Sequence, residues 1–171
     1  MSGQHELDPE RLGDHIDRLY RAAWALCGSR EEAEDLVQET FARVLRKPRL
    51  LRGSDDIAYL LRALRNTFFS SRRAAARRVQ ATPVGDDLER LADTAATELD
   101  TRIDAARLYA EIAELPPDFR DVVIAIDLVG LSYREAARSL RVREATVTTR
   151  LHRGRRRLAQ ALADEAPRSQ A

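Results

Sequence analysis

The stretch SREEAEDLVQETFARVL, Ser29–Leu45, decides the fold because it carries the strongest helical pattern in the chain. Its apolar residues recur three and four positions apart, which places them on one face of an α-helix. Ser29 and Glu32 have the spacing of a capping box, in which each residue satisfies a free backbone N–H group of the other. The sequence therefore predicts a long amphipathic helix here, ended by Pro48.

Outward from this helix, the same spacing of apolar residues predicts six more. They cover about residues 12–27, 54–78, 99–115, 118–128, 132–140 and 144–163. Gly28 and Gly130 suit helix ends because glycine adopts the left-handed conformation, and Pro116 with Pro117 stops the helix before it. Residues 49–53 are predicted to form a short basic loop. Trp24 and Cys27 are expected in the core.

Residues 81–98 break the pattern, since they contain Pro83, Gly85 and several acidic residues but few large apolar ones. Such a long stretch without periodicity favours a boundary between domains. The sequence therefore predicts an all-α fold of two small helical domains, residues 1–80 and 99–171, joined by a flexible acidic linker over 81–98. The first domain is expected to be a helical bundle.

Composition limits the function further. The chain has 171 residues, and no uninterrupted apolar run in it exceeds six residues, so neither a membrane span nor a signal peptide is expected. One cysteine and three histidines are too few for a Cys/His zinc site. No hydrolase, metalloprotease or nucleotide-binding motif is present. We expect a cytoplasmic protein that is not an enzyme and needs no metal or cofactor.

Charge is distributed in blocks along the chain. Residues 1–40, 41–80, 81–121 and 122–171 carry net charges of −6, +9, −7 and +5. Two basic blocks separated by an acidic one favour two surfaces that bind nucleic acid, with acidic surfaces for a basic partner. The alternative is that these are ordinary solvated helix faces.

The C-terminal block has the pattern of a helix-turn-helix. Ser132 and Glu135 form a second capping box, and a short turn at 141–144 separates the two predicted helices. The second of these helices carries a basic outer face, which suits insertion into the major groove of DNA.

Two groups of residues resemble the extracytoplasmic-function sigma factors of bacterial RNA polymerase. The motif DLVQETF at 35–41, followed by YLLRALRN at 59–66, is similar to region 2 of that family. The segments LPP at 115–117, GLSYREAA at 130–137 and ATVTTRLHRGR at 145–155 are similar to region 4. The resemblance covers about residues 12–78 and 99–162.

The resemblance implies three sets of binding residues and no catalytic ones. Core-polymerase contacts would be Asp35, Gln38, Glu39 and Arg43. Contacts to the melted −10 element would be Arg49, Arg52, Tyr59, Arg62, Arg65, Asn66, Phe69, Arg72 and Arg73. Contacts to the −35 duplex would be Arg143, Thr146, Thr148, Thr149, His152, Arg153, Arg155 and Arg156. The implied partners are core RNA polymerase, promoter DNA and an anti-sigma factor, and the implied location is the cytoplasm, at the nucleoid.

The sequence departs from the family pattern at several binding positions. A tryptophan is usual where Tyr59 stands, an acidic residue and an arginine often replace Ser70 and Ser71, and Ala145, Thr148 and Thr149 are also unusual. The promoter sequences of relatives are therefore not transferred to this chain. Two other functions stay open on the residues alone. The first is a stand-alone transcription regulator with a helix-turn-helix, and the second is a protein-interaction module that binds no DNA.

Overall fold

The structure is a computed structural model, and it describes residues 4–7, 9–47, 50–52, 56–81 and 99–164. Its α-helices are α1 Ile16–Cys27, α2 Arg30–Arg46, α3 Asp56–Ala81, α4 Leu99–Glu114, α5 Pro117–Val123, α6 Tyr133–Leu140 and α7 Glu144–Asp164. A 3₁₀ helix, Pro9–His15, precedes α1, and a π-helical turn, Ile124–Leu128, continues α5. The predicted all-α class is confirmed, and the predicted linker at 81–98 lies almost wholly outside the described residues.

The predicted helix ends are set by the residues expected to set them. Gly28 ends α1 in the left-handed conformation, with φ of 76°, and the Ser29 hydroxyl accepts the N–H of Glu32 at the start of α2. Pro117 occupies the first turn of α5, where its missing N–H costs nothing. At α6 both halves of the Ser132–Glu135 capping box form. Local chemistry therefore determines where these helices begin and end.

Three local features differ from the sequence-based expectation. Residues 50–52 were predicted as loop, but Leu50–Arg52 (β2) pairs antiparallel with Gln4–Glu6 (β1). The start of the first predicted helix is 3₁₀ up to His15. The helix predicted over 118–128 widens into a π-helical turn, in which Val129 N–H donates to the Ile124 carbonyl. A strand partner more than 40 residues away and a shift in hydrogen-bond register leave no mark on local apolar spacing.

Helix α1 lies at the centre of the molecule. Its C-terminal half is buried all round, from Ala22 to Cys27, because α2 and α3 cover one side and α4 covers the other. The Trp24 ring packs on Tyr109 of α4 with ring centroids 4.5 Å apart. The predicted core positions of Trp24 and Cys27 are confirmed. The two predicted helical domains thus share one continuous hydrophobic core.

The turn between α6 and α7 contains a strained residue. Arg141 has φ of 58° and ψ of 44°, and it is the one non-glycine residue with positive φ among the described residues. A side chain in this left-handed conformation costs roughly 1–2 kcal/mol. The turn is therefore formed at the expense of stability.

Replacing Arg141 with glycine is expected to stabilise the protein by about 1 kcal/mol, since glycine removes the clash and the gain outweighs its extra freedom in the unfolded chain. Urea unfolding followed by circular dichroism measures the change. Arg141→Ala is the matched control because it also removes the charge but keeps the strain, and we expect no stabilisation from it. Equal stability of the two variants would contradict a strained turn.

Candidate protein and nucleic-acid interfaces

The first candidate interface is the solvent face of α2. All four predicted polymerase contacts, Asp35, Gln38, Glu39 and Arg43, are exposed on it, while the opposite face buries Ala33, Leu36, Val37, Thr40 and Val44. Arg43 Nε lies 2.6 Å from Glu39 Oε1, with both side chains about half exposed. Pairs of this kind are worth little to stability. The charged residues of this face are therefore available to a partner.

Sequence reasoning missed a groove beside this face. It has a volume of about 450 Å³ and lies where the end of α1 meets α2 and α3. Its lining residues are Cys27, Glu32, Asp35, Leu36, Glu39, Thr67, Phe68, Ser71, Arg72 and Ala75. The floor is apolar and two of the predicted contacts lie on the rim. No spacing signal could have revealed the groove because it joins three helices.

Cys27 lies in this groove as a neutral thiol. It is only 8% exposed. Burial raises the pKa of the thiol to about 12; nearby Glu32 adds to the rise, and Arg72 with Arg120 opposes it. The thiolate is the reactive form of cysteine, so this environment disfavours a redox role.

We expect Cys27 to react with iodoacetamide at pH 8 at least about 100-fold more slowly than a free cysteine, because the thiolate fraction falls tenfold for each unit of pKa. Mass spectrometry of the alkylated protein over time measures the rate. The same protein unfolded in urea is the control and should react at the ordinary rate. Rapid alkylation of the folded chain would contradict this assignment.

The second candidate interface lies along α3. Asn66, Arg72 and Arg73 are exposed, whereas Tyr59, Arg62 and Phe69 are half-buried. The Arg62 guanidinium lies 5.8 Å from the Tyr59 ring centroid, a distance typical of cation–π contacts. Arg49 and the side chain of Arg52 lie outside the described part of the structure. The exposed members form a basic and polar face suited to a nucleic-acid strand.

Arg65 differs from the other residues predicted to contact the −10 element. Its guanidinium forms an ion pair with Asp121 of α5, and the two side chains are only 18% and 10% exposed. The pair lies between the N-terminal helices α1–α3 and the C-terminal helices α4–α7. In this arrangement the Arg65 guanidinium faces Asp121 and is largely covered by protein.

The third candidate interface is the outer face of α7. Seven of the eight residues predicted to contact the −35 duplex are exposed and Thr146 is half-buried. Thr148, His152, Arg155 and Arg156 line a groove of about 470 Å³ together with Tyr133 and Leu151. The structure therefore brings a polar, basic and partly apolar set together on one helix face.

Acidic residues that sequence reasoning missed hold two arginines of α7. The Arg155 guanidinium donates from Nε to Asp127 Oδ2 at 3.0 Å and makes a second bond to Oδ1, and these bonds raise the pKa of Arg155. Arg150 pairs with Asp118 at 2.6 Å. Asp118 lies on α5 and Asp127 on the π-helical turn that continues it, so these two elements orient α7. The long sequence separation explains why no pattern pointed to these pairs.

The described residues contain neither a metal-binding cluster nor a membrane-spanning helix. No group of three or more His, Cys, Asp or Glu side chains there could hold a metal ion. None of the helices described is long and apolar enough to cross a membrane.

The fold and these surfaces define a class of protein, the sigma-70 type of RNA polymerase sigma factor. The family model described as Sigma-70 region 2 matches residues 12–78, and the one described as Sigma-70, region 4 matches residues 105–158. The first match contains α1, α2 and all of α3 except its last three residues, and the second contains α5, α6 and most of α4 and α7.

Similar proteins narrow the class. The chain is 38% identical over 157 residues to the ECF RNA polymerase sigma factor SigE of Mycolicibacterium smegmatis, covering 90% of this chain and 61% of that protein. It is 31% identical to EcfG of Rhodopseudomonas palustris, covering 84% of this chain and 78% of that one. The chain spans about three fifths of the length of SigE and of BldN from Streptomyces coelicolor. It belongs to the extracytoplasmic-function (ECF) family of RNA polymerase sigma factors.

Solved structures share the fold. The sigma factor RpoE of Bartonella quintana, in complex with the anti-sigma factor NepR, aligns with a TM-score of 0.68 and 27% identity, covering 92% of this chain and 99% of that one. CnrH, in complex with the cytosolic domain of CnrY, aligns with a TM-score of 0.62 and 21% identity, covering 92% and 88% of the two chains.

Proposed function

We propose that this protein directs core RNA polymerase to specific promoters. The observation that carries the proposal is that one chain presents an exposed acidic face on α2 and an exposed basic face on the second helix of a helix-turn-helix, α7. A transcription regulator needs only the second of these faces. The protein would act in the cytoplasm, where the polymerase transcribes.

Core polymerase would dock on α2 through Asp35, Gln38, Glu39 and Arg43. The carboxylates attract a basic partner surface, and the apolar groove at their side offers a place for one of its side chains. Asp35 and Glu39 belong to both features, which supports a single continuous docking surface.

The melted strand of the −10 element would bind along α3. Asn66 is exposed and suited to hydrogen-bond the edge of a flipped base, and the half-buried rings of Tyr59 and Phe69 offer stacking surfaces, worth roughly 1–3 kcal/mol per base. Arg72 and Arg73 are exposed and would hold phosphates. Arg49 and Arg52 remain proposed contacts on the loop side.

The −35 element would be recognised by α7 in the major groove. His152 and Arg153 would contact base edges or nearby phosphates, and Arg143, Arg155 and Arg156 would hold the backbone. Thr148 and Thr149 donate their hydroxyl hydrogens to the carbonyls one turn back, at 3.1 and 3.0 Å. Their methyl groups are therefore left to meet apolar groups of the bases, of which the thymine methyl is the example in this groove.

Two substitutions at Thr148 separate its methyl from its hydroxyl. We expect Thr148→Val to keep the affinity for a selected −35 duplex, and Thr148→Ser to weaken it about fourfold, the effect of losing one buried methyl. Fluorescence anisotropy with a labelled duplex measures both. A stronger loss in the valine variant would show that the hydroxyl carries the contact.

An anti-sigma factor is a further proposed partner. Support comes from the RpoE relative, which was solved with the anti-sigma factor NepR and aligns over most of both chains. In the present structure the N-terminal and C-terminal helices pack against each other, and the acidic face of α2 stays exposed.

Run-off transcription tests the proposal. Purified protein and core polymerase are mixed with a library of promoter fragments, and transcripts are sequenced to locate their starts. We expect starts at a defined set of sites that core polymerase alone does not use, and loss of these starts with Asn66→Ala. If the protein binds duplex DNA tightly but never recruits core polymerase, it is a stand-alone regulator and the assignment of α2 is wrong.

A further inference from the structure

The N-terminal helices α1–α3 and the C-terminal helices α4–α7 meet in an extended contact, here called the interhelical clasp. Its members are Arg18, Trp24, Ala58, Arg65 and Phe68 on one side and Tyr109, Arg120, Asp121, Val129 and Ser139 on the other. These contacts are an ion pair, hydrogen bonds and a packed pair of aromatic rings.

One end of the clasp is an ion pair in a buried setting. Arg65 donates to Asp121 Oδ2, and Arg120 approaches Asp121 Oδ1 at 4.0 Å while its guanidinium lies 5.5 Å from the Phe68 ring centroid. Two guanidinium groups therefore share one carboxylate. Burial lowers the pKa of Arg120, and the buried Nε atoms of Arg65 and Arg120 have no hydrogen-bond acceptor. The negative charge of Asp121 offsets the cost of burying the two guanidinium groups.

The rest of the clasp fixes the same arrangement from other directions. Arg18 donates to the carbonyl of Val129, from Nε at 2.7 Å and from a second nitrogen, at the end of the π-helical turn where a cation is favourable. Ser139 Oγ donates to the Ala58 carbonyl at 3.2 Å. Trp24 packs on Tyr109. The closed form is thus specified by directional contacts in addition to apolar burial.

We infer that Asp121 acts as an internal substitute for a DNA phosphate, so that the closed chain inhibits its own binding of the melted strand. The inference rests on the proposed binding of the melted strand along α3, with Arg65, which the family resemblance places among the −10 contacts, holding one of its phosphates. A carboxylate and a phosphate present the same kind of acceptor to a guanidinium, and Arg65 cannot pair with both. Binding of the strand through Arg65 therefore requires the clasp to open, and closing the clasp removes Arg65 from the DNA-binding face.

Arg65 and Arg120 together carry one more charge than Asp121 neutralises. The closed form therefore depends on the charge of Asp121. With Asp121 removed, Arg65 and Arg120 would face each other in a buried site without a counterion, which disfavours the closed form strongly. The Asp121→Asn variant keeps the shape of the side chain and removes only its charge. Asp118→Asn is the matched control because Asp118 lies three residues earlier on α5 and pairs with Arg150, outside the clasp.

Trp24 reports the state of the clasp directly, since it is the single tryptophan of the chain and it packs against Tyr109. In the full chain without polymerase, we expect Asp121→Asn to shift Trp24 emission to longer wavelength, to raise its acrylamide quenching at least twofold and to increase the radius of gyration measured by small-angle X-ray scattering. Asp118→Asn should match the wild type. Unchanged emission, quenching and radius in Asp121→Asn would overturn the clasp.

Competition with DNA is measured separately, with a fluorescein-labelled single-stranded 20-mer of random sequence as the probe. We expect Asp121→Asn to bind it at least threefold more tightly than wild type and Asp118→Asn to bind as wild type does, although both lose one negative charge. If the Trp24 measurements show that the clasp opens in Asp121→Asn but the single strand binds no more tightly, then Asp121 and DNA do not compete for Arg65. Absence of binding in every variant would instead count against the proposed function of α3 and leave the fluorescence result to decide on the clasp.

A second variant tests the clasp without any change in α5, in case Asp121→Asn fails to fold. Arg18→Gln removes the contact to the Val129 carbonyl from α1 and touches none of the proposed DNA contacts. We expect the same change in Trp24 emission and the same gain in single-strand binding, with the helical circular dichroism spectrum of the wild type. A wild-type response in this variant, together with one in Asp121→Asn, would show that apolar packing alone holds the two sets of helices together.

Discussion

Glu39→Arg is expected to lower run-off transcription by at least about 30-fold, the equivalent of about 2 kcal/mol of lost docking energy. The side chain is about half exposed on α2, so the substitution leaves the core of the bundle unchanged. A cation there repels a basic partner, and like charges across an interface cost several kcal/mol. The introduced side chain also lies one helical turn from Arg43, so the two cations together make this part of the surface positive.

The control for this charge reversal is Asp164→Arg. Asp164 is an exposed acidic residue at the C-terminal end of α7, on a different helix from the docking face and outside the predicted −35 contacts, and transcription with this variant should stay within about twofold of the wild type. A pull-down with core polymerase locates the defect of Glu39→Arg in docking. Normal transcription from Glu39→Arg would show that the polymerase binds elsewhere on the chain.

Gly154→Ala is expected to destabilise the C-terminal helices by about 1–3 kcal/mol. A Cβ atom at Gly154 would lie 2.8 Å from Val123 Cγ2 and 3.4 Å from Phe119 Cβ, because α7 crosses α5 closely at this point. In an open helix the same change is favourable by about 1 kcal/mol. Here overpacking against α5 outweighs that gain. We expect a lower melting temperature in thermal unfolding and a weaker affinity for the −35 duplex.

Gly13→Ala provides the comparison for this prediction, since a Cβ atom at Gly13 would have nothing within 4 Å. We expect its melting temperature to equal that of the wild type or exceed it. If Gly154→Ala were as stable as Gly13→Ala, then α5 and α7 would separate readily, and the acidic residues that orient Arg150 and Arg155 could not hold α7 in place.

Much of the fold could be predicted because its signals are local. The capping residues Ser29 and Ser132, the helix end at Gly28 and the prolines before α5 each act within a few residues, and the apolar spacing of α2 sets its buried face. The exposed positions of Asp35, Glu39 and the α7 residues follow from the same helical period. Whether these residues bind polymerase and DNA stays a prediction.

Other features arise from contacts between distant residues and could not be predicted in the same way. Arg65 and Asp121 are 56 residues apart, and Arg18 and Val129 are 111 apart. Both arginines occupy helix positions that would be equally suited to solvent or to DNA, so apolar periodicity does not distinguish them. The groove at Cys27 and the ribbon at Leu50–Arg52 have the same origin in tertiary packing.

The all-round burial of α1 has a consequence during synthesis. Helix α4, which covers one side of α1, begins about 70 residues after α1 ends. At ribosomal speeds of roughly 5–20 residues per second, the side of α1 that contains Trp24 emerges several seconds before the residues that cover it. Until then this apolar surface is open to chaperones or to another nascent chain. A fragment that stops at Ala81 would keep that surface exposed permanently, so its solubility depends on the half of the protein it lacks.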